Sequence, residues 1–418
     1  MNKVSIITLG CKQNKYESDC MAGILKRNGY EVVEGLEYAD VYIINTCAVT
    51  AEAEKKSRQY IKKCITLNND AKVIICGCAS ENNIEQFKCK PNIYSAFGTE
   101  GKQNILKYLN NSIVNRETLE TKYSSPNSPE KTTTREYIKI QDGCNNFCSY
   151  CLIPYLRGRS RSRDLDEIIL EAKTIAERSR EIVLTGIDIS SYKINDKPAL
   201  PLLMERLGSI GAIISLGSLE VSVITEQLLV VLKQMPNFSP HFHLSLQSGN
   251  DEILKLMNRH YTGQDFFDKI QLIRKYFPLA NITTDVIVGF GGETEEQFES
   301  TKKFIIKCGF SFVHIFPYSK RLGTRAYNFP DIPSSIKKSR VDALEEVNVK
   351  LKNDYLSKFI GKKSIMLAEE KKTHWEGFST EYIRCYCENN LHSGKLYEVE
   401  FKEILNNGMK VNFIREIE

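Results

Sequence analysis

Gln141-Asp142-Gly143-Cys144-Asn145-Asn146-Phe147-Cys148-Ser149-Tyr150-Cys151 sets three cysteines, spaced C-x3-C-x2-C, directly after the apolar run Tyr137–Ile140. That run predicts a strand, and a loop leaving a strand is where a βα barrel gathers its chemistry. Thiolates are soft ligands suited to iron–sulfur clusters, and this spacing lets one loop wrap a single cube. A ferredoxin cluster takes four cysteines, yet the next one downstream here is Cys308. Three ligands leave one iron open to chelate the amino and carboxylate groups of S-adenosylmethionine (SAM) and to pass an electron to its sulfonium. The blander alternative is a zinc site completed by a distant residue, but structural zinc is normally closed by four ligands.

Downstream, apolar runs recur with a βα rhythm: Ile182–Thr185, Leu216–Val221, Phe242–Leu246, Thr284–Val288 and Phe312–Phe316. The helix after the cysteine loop opens on Asp164-Leu165-Asp166-Glu167, an acidic cap with Glu three residues on. With Tyr137–Ile140 this makes six units, which predicts a (βα)6 partial TIM-type barrel over 135–357. Beyond it, Thr380–Cys387, Lys395–Ile404 and Met409–Ile414 lie between Gly and Asn turns and predict a small antiparallel β-barrel over 358–418. Upstream, 115–134 is rich in Ser, Thr and Pro and reads as a linker. Residues 1–114 predict a small α/β layer with parallel strands Val4–Leu9, Val41–Ile44 and Val73–Cys76 and helices Glu17–Asn28 and Glu52–Cys64.

Each of those three strands ends at a cysteine: Gly10-Cys11, Thr46-Cys47 and Gly77-Cys78. Loops at the carboxyl ends of parallel strands converge on one crevice, so three thiolates there can hold a second cluster, again with a free iron. Three separate buried cysteines is the competing account. Cys76, beside Cys78, is the rival for its place. Cys20, Cys64, Cys89, Cys308, Cys385 and Cys387 have no ligand spacing and read as packing residues.

The chain has 418 residues, 42% hydrophobic and 26% charged, with a net charge of +5, which permits an RNA partner without requiring one. No apolar run approaches the roughly 18–20 residues of a membrane span. Thirteen cysteines, an odd number, argue for metal or redox chemistry in a reducing cytoplasm over a disulfide framework. Arg157, Arg159, Arg161 and Arg163 alternate after the cluster loop and could meet RNA phosphate or the SAM carboxylate, or simply form a solvated face. Lys320, Arg321 and Arg325 extend this basic set. On His241-Phe242-His243-Leu244-Ser245-Leu246-Gln247 the polar residues share one face, with structural hydrogen bonding the plainer role for the histidines. Lone Trp375 and the nearby tyrosines suit core packing better than base stacking.

These motifs resemble the radical SAM methylthiotransferases along nearly the whole chain. The resemblance rests on Thr8–Lys12, Asn45–Val49, Gly77-Cys78, Gln141–Cys151, Leu184-Thr185-Gly186, Ser245–Gly249 and Asp285–Phe290. It implies an auxiliary 4Fe-4S cluster on Cys11, Cys47 and Cys78 that supplies sulfur. It implies a second 4Fe-4S cluster on Cys144, Cys148 and Cys151 that cleaves SAM to a deoxyadenosyl radical. Tyr150 would stack near the SAM adenine, Gly186 would meet its amino group, and Gln247 would contact the cofactor. A reduced donor of flavodoxin or ferredoxin type and a C-terminal RNA-binding barrel of the TRAM kind complete the expectation.

Within the family the MtaB type is the better match, through Cys11–Glu17, Arg157–Arg163 and His314–Lys320. That type acts on carbon 2 of threonylcarbamoyl-adenosine at tRNA position 37. The isopentenyl-adenosine (MiaB) type usually has an acidic residue where this chain has Ser160, and the ribosomal-protein (RimO) type usually lacks the Gln247-Ser248-Gly249 sequence. Two positions depart from the family. Gly291 and Val221 stand where proline is common, and Gly291 is expected to loosen its loop.

Overall fold

In a computed structural model, residues 3–88, 92–110 and 133–417 are described. The predicted linker, apart from Thr133 and Thr134, and Cys89 lie outside them. The chain divides into two compact units, one of residues 1–132, 139–163 and 319–327, the other of residues 133–138, 164–318 and 328–418.

In the first unit, β1 (Lys3–Thr8), β2 (Glu31–Glu34), β3 (Val41–Thr46), β4 (Lys72–Gly77) and β5 (Ile93–Ala96) form a parallel sheet in the order β2-β1-β3-β4-β5. β1, β3 and β4 are central, so both their faces are covered and they read as near-continuous apolar runs. Ile7, Tyr42, Ile44, Val73 and Ile75 pack on one side. Val4, Ile6, Ile43 and Ile74 pack with Met21 and Leu25 of helix α1 (Lys12–Arg27) on the other. The edge strands β2 and β5 are half-exposed and short, which is why the sequence pattern does not announce them. α1 starts at Lys12, five residues before the predicted Glu17, so Cys11 becomes its N-cap. Helix α2 (Ala51–Leu67) is capped by Thr50, whose side chain accepts from the Ala53 N–H.

The second unit holds β6 (Glu136–Lys139, except its last residue Lys139), β7 (Glu181–Thr185), β8 (Ile213–Leu216), β9 (His241–Gln247), β10 (Asn281–Val288) and β11 (Phe312–Pro317). Neighbours in space are neighbours in sequence, in the orders β8-β7-β6 and Ser218–Leu219-β9-β10-β11. The break between the two arcs falls at Gly217, whose N–H donates to the Leu184 carbonyl at 2.9 Å. A Cβ there would stand 2.8 Å from that oxygen. The predicted strand Leu216–Val221 straddles this break, and is corrected to β8 plus the two-residue Ser218–Leu219. The acid-capped helix is present over Leu165–Ala176, with the Asp164 carboxylate accepting from the N–H groups of Asp166 and Glu167.

The chain ends in a closed five-stranded barrel of β12 (Lys363–Lys371), β13 (Trp375–Ser379), β14 (Arg384–Cys387), β15 (Leu396–Leu405) and β16 (Gly408–Ile417), in the order β12-β13-β14-β16-β15. Its core includes Met366, Cys385, Cys387, Tyr397, Val399 and Phe401, with Trp375 packed against it. The predicted strand Thr380–Cys387 is shortened at its start, because Tyr382 takes a φ of +61° in the turn leading to β14. Among the described residues no helix is long and apolar enough to cross a membrane.

Candidate functional site

Cys11, Cys47 and Cys78 leave the carboxyl ends of β1, β3 and β4, three adjacent strands. Two glycines let these loops close on each other. Gly10 has a φ of +99°, and a Cβ on it would lie 2.7 Å from the Cys47 Cβ and 2.8 Å from its Sγ. Gly77 has the same φ and would bring a Cβ within 2.5 Å of the Thr46 carbonyl. Asn14 ties two loops together, its Nδ2 donating to the Leu9 carbonyl at 2.7 Å and the Thr46 carbonyl at 3.0 Å. The Thr46 hydroxyl donates to the Cys76 carbonyl at 2.6 Å and accepts from the Ser80 N–H at 3.3 Å, which fixes the third.

The thiols feel one another. Burial pushes Cys47 up to about 11, the Val49 N–H opposes this, and Cys11 and Cys78 add to it. Cys11 touches solvent, yet the surrounding protein still raises its thiol, against the pull of Arg157 and with a further push from Cys78. A metal would reverse that balance, since a coordinating thiol is deprotonated outright. Cys76 points instead into the core beside Val4, Met21 and Leu25, and is pushed up by burial to about 12.

Cys144, Cys148 and Cys151 sit half-buried in one loop of the same unit. Gly143, with a φ of +73°, could not carry a side chain, because a Cβ would fall 2.1 Å from the Arg159 carbonyl. Backbone N–H groups of Asn146 and Ile153 reach the sulfurs of Cys144 and Cys151, each at 3.4 Å. Such bonds favour the thiolate over the thiol. The loop is held by Cys144 N–H to the Gly158 carbonyl at 3.1 Å and by the Gln141 amide, which donates to the Gly143 carbonyl at 2.6 Å.

This donor set fits an iron–sulfur cluster. Among the described residues, one group of three possible ligands, His243, Asp285 and His314, has its atoms within the 4.8 Å that a single ion needs. Each cysteine triad offers instead the soft thiolate donors that iron–sulfur clusters take. The His243 ring already has a partner at each nitrogen, with Thr283 Oγ1 2.9 Å from Nδ1 and Asp285 Oδ2 3.1 Å from Nε2. His241 meets the same threonine at 3.1 Å, so these histidines have the hydrogen-bonded setting expected of them.

Tyr150 is half-buried in the cysteine loop of the first unit. Gly186 follows β7 and Gln247 closes β9, both half-buried in the second unit. Gln247 takes a φ of +70° at a register shift between β9 and β10, a bend the sequence pattern does not reveal.

The basic run divides in two. Arg159 and Arg325 are exposed, Arg161 and Lys320 half-buried. Arg157, Arg163 and Arg321 are buried, so they do not form a solvated face, one of the readings open for this basic set. Arg321 pairs with Glu54, and Arg163 donates to the Tyr16 hydroxyl at 3.4 Å. Around Arg157 lies a charged cluster that sequence reasoning missed, formed by Glu17, Lys102, Lys139 and Asp142. Burial works against the Glu17 carboxylate, but Arg157, Lys102 and Lys139 together hold it well below the usual range. Its members come from four stretches of sequence, so no local spacing could have shown it.

Residues 138–305 match the family described as the Radical SAM superfamily, and residues 3–98 match the Uncharacterized protein family UPF0004. The threonylcarbamoyladenosine tRNA methylthiotransferase MtaB of Bacillus subtilis is 35% identical, across 100% of this chain and 98% of its own. Its namesake from Aquifex aeolicus is also 35% identical, across 95% of this chain and 99% of its own. The ribosomal protein uS12 methylthiotransferase RimO of Clostridioides difficile is 34% identical, across 89% and 87%. Among solved structures, the radical SAM methyltransferase TsrM of Kitasatospora setae shares the fold, with a TM-score of 0.56 over 78% of this chain and 77% of that one at 12% identity. The fold and these matches define a radical SAM enzyme, and the chain belongs to the MtaB-type methylthiotransferase family. Membership brings SAM and a 4Fe-4S cluster with it.

Proposed function

We propose that this chain adds a methylthio group to carbon 2 of threonylcarbamoyladenosine at position 37 of tRNA. The reading is carried by one observation: near-full-length similarity to MtaB relatives in a chain whose two cysteine triads belong to a single compact unit. Cys144, Cys148 and Cys151 would hold the cluster that cleaves SAM, and Cys11, Cys47 and Cys78 an auxiliary cluster. When bound, the first supplies an electron to SAM and the second supplies sulfur, a division that needs an open iron at each. The chain's own residues would gather and prepare the ligands. Gly10 and Gly77 bring three loops together without offering a fourth thiolate, and the Asn146 and Ile153 N–H groups stabilise sulfurs of the other triad as thiolates. Tyr150, Gly186 and Gln247 would position SAM. An electron donor of flavodoxin or ferredoxin type would serve the reaction in the cytoplasm. The working units would be the N-terminal methylthiotransferase domain (1–114), the radical SAM domain (135–357) and the C-terminal TRAM domain (358–418).

Nucleosides from a deletion strain, analysed by mass spectrometry, should lack methylthio-threonylcarbamoyladenosine and regain it on complementation. Loss of the isopentenyl product instead would move the chain to the MiaB type. A zinc-loaded protein that binds tRNA and never consumes SAM would make it a non-enzymatic RNA-binding protein. Anaerobic reconstitution should give iron for two clusters, and iron for only one would remove the sulfur-donating role of Cys11, Cys47 and Cys78.

A further inference from the structure

We propose that Arg157 is a positioning residue that sets the reduction potential of the cluster held by Cys11, Cys47 and Cys78. This rests on the two-cluster reading above. Arg157 ends the short helix Ile153–Arg157, six residues beyond Cys151, and is 3% exposed. Its side chain points to the other triad. Nε donates to Cys78 Sγ at 3.4 Å. Nη1 donates to Glu17 Oε1 at 2.8 Å and more weakly to Asp142 at 3.3 and 3.4 Å. Nη2 donates to Asn14 Oδ1 at 2.8 Å and to Glu17 Oε2 at 3.2 Å. Asn14 is the residue that joins the loops of Cys11 and Cys47 through the Leu9 and Thr46 carbonyls. One guanidinium therefore touches Cys78 directly and the other two ligand loops through a single amide.

Charge gives this contact its meaning. Among the described residues, Arg157, Lys102 and Lys139 surround the buried carboxylates of Glu17 and Asp142 beside Cys78. A thiolate bound to an iron–sulfur cube would place negative charge at the atom that Nε already meets. Hydrogen bonds to cluster sulfurs and nearby charge are established levers on cluster potential. A donor and a cation favour the reduced state, which carries one more negative charge, so Arg157 raises the potential. A purely structural ion pair would change how firmly the cluster is held and leave its potential alone.

The test uses the full chain carrying Cys144→Ala, Cys148→Ala and Cys151→Ala, so that iron bound after anaerobic reconstitution reports the other triad. Redox titration followed by electron paramagnetic resonance gives its midpoint. Adding Arg157→Gln should lower the reduced-to-oxidised ratio at a fixed solution potential at least tenfold, which for a one-electron couple is about 59 mV. Arg157→Lys keeps the charge and loses the fork of donors, so its midpoint should fall between the two. Equal midpoints in all three proteins would overturn the proposal. If Arg157→Gln does not retain the cluster, the Lys variant decides alone: a lowered midpoint supports the role and an unchanged one ends it. A triple-alanine parent that binds no iron would take away the two-cluster reading itself, an outcome distinct from an unmoved midpoint.

Discussion

Gly77 shows how one residue holds the loops of Cys47 and Cys78 close together. Its φ of +99° lies where a side chain is strained, and an added Cβ would sit 2.5 Å from one backbone oxygen and 2.8 Å from a backbone nitrogen, both of Thr46. Backbone cannot swing aside as a side-chain end can. Strain and overpacking together should cost Gly77→Ala roughly 2–4 kcal/mol. Chemical unfolding would read that loss, and iron content after reconstitution should drop toward that of a single cluster. Retention of full iron would show that the Cys47 and Cys78 loops can separate without harm. Cysteines outside the triads behave differently. Burial pushes both Cys64 and Cys308 from 9.0 to about 12. Their protons are held more tightly in the folded chain, so unfolding between about pH 9 and 12 releases protons and stability falls as pH rises through that window. Below it their contribution is fully present. In the double variant Cys64→Ala/Cys308→Ala the slope of unfolding free energy against pH above 9 should be shallower than in the parent, and equal slopes would count against buried thiols as its cause.

Between elements, the loop after β10 departs from its sequence expectation in an instructive way. Gly291, in place of a common proline, is expected to loosen the chain, yet the space over it is filled. A Cβ at Gly291 would approach the Phe329 Cβ to 2.4 Å, and the Phe329 ring stands edge-on to Phe290 at 5.9 Å. Gly291→Pro should therefore destabilise the chain by about 1–3 kcal/mol through overpacking. With Phe329→Ala the penalty should shrink, giving a coupling of about 1 kcal/mol in a double-mutant cycle, and additive costs would contradict this packing. Phe329 lies 38 positions away in sequence, which is why the residue pattern alone does not show this packing. The same physical limit marks what the sequence reveals elsewhere. Central strands such as β3 and β4 are buried on both faces and stand out as apolar runs, and the Asp164 cap is visible because its partners are two and three residues on. The cysteine loop is local, so its spacing could be read directly. The exposed edges β2 and β5, the split at Gly217, the bend at Gln247 and the charges around Arg157 depend on contacts between distant segments, and periodicity carries no trace of those.

At the scale of the whole second unit, the C-terminal barrel is fastened to the amino ends of β6, β7, β9 and β10. Arg135, just before β6, pairs with Glu181 at the start of β7 at 2.9 Å and with Glu369 on β12 at 2.9 Å. Its guanidinium also lies 4.4 Å from the Phe378 ring centre and 5.0 Å from that of Tyr382. His241, opening β9, stacks on Tyr382 at 4.5 Å, and Asn281, opening β10, donates to the Glu381 carbonyl at 2.8 Å. Gly186 and Gln247 stand at the opposite, carboxyl ends of β7 and β9, so the barrel is anchored away from the end where the SAM contacts are proposed. Arg135 is the shared member of this junction and is 8% exposed. Removing it leaves Glu181 buried with only the Ser215 hydroxyl, which donates at 2.7 Å, as its named partner. Breaking a buried pair in this way costs about 3–5 kcal/mol. Arg135→Ala should thus loosen the junction before either part unfolds: limited proteolysis should cut between Ser357 and Lys363, and melting should broaden into two steps. Adding Glu181→Gln should recover part of the loss by removing the stranded charge. A single transition at the parental temperature, with no new cleavage, would mean that the stacked rings and the Asn281 bond hold the barrel without Arg135.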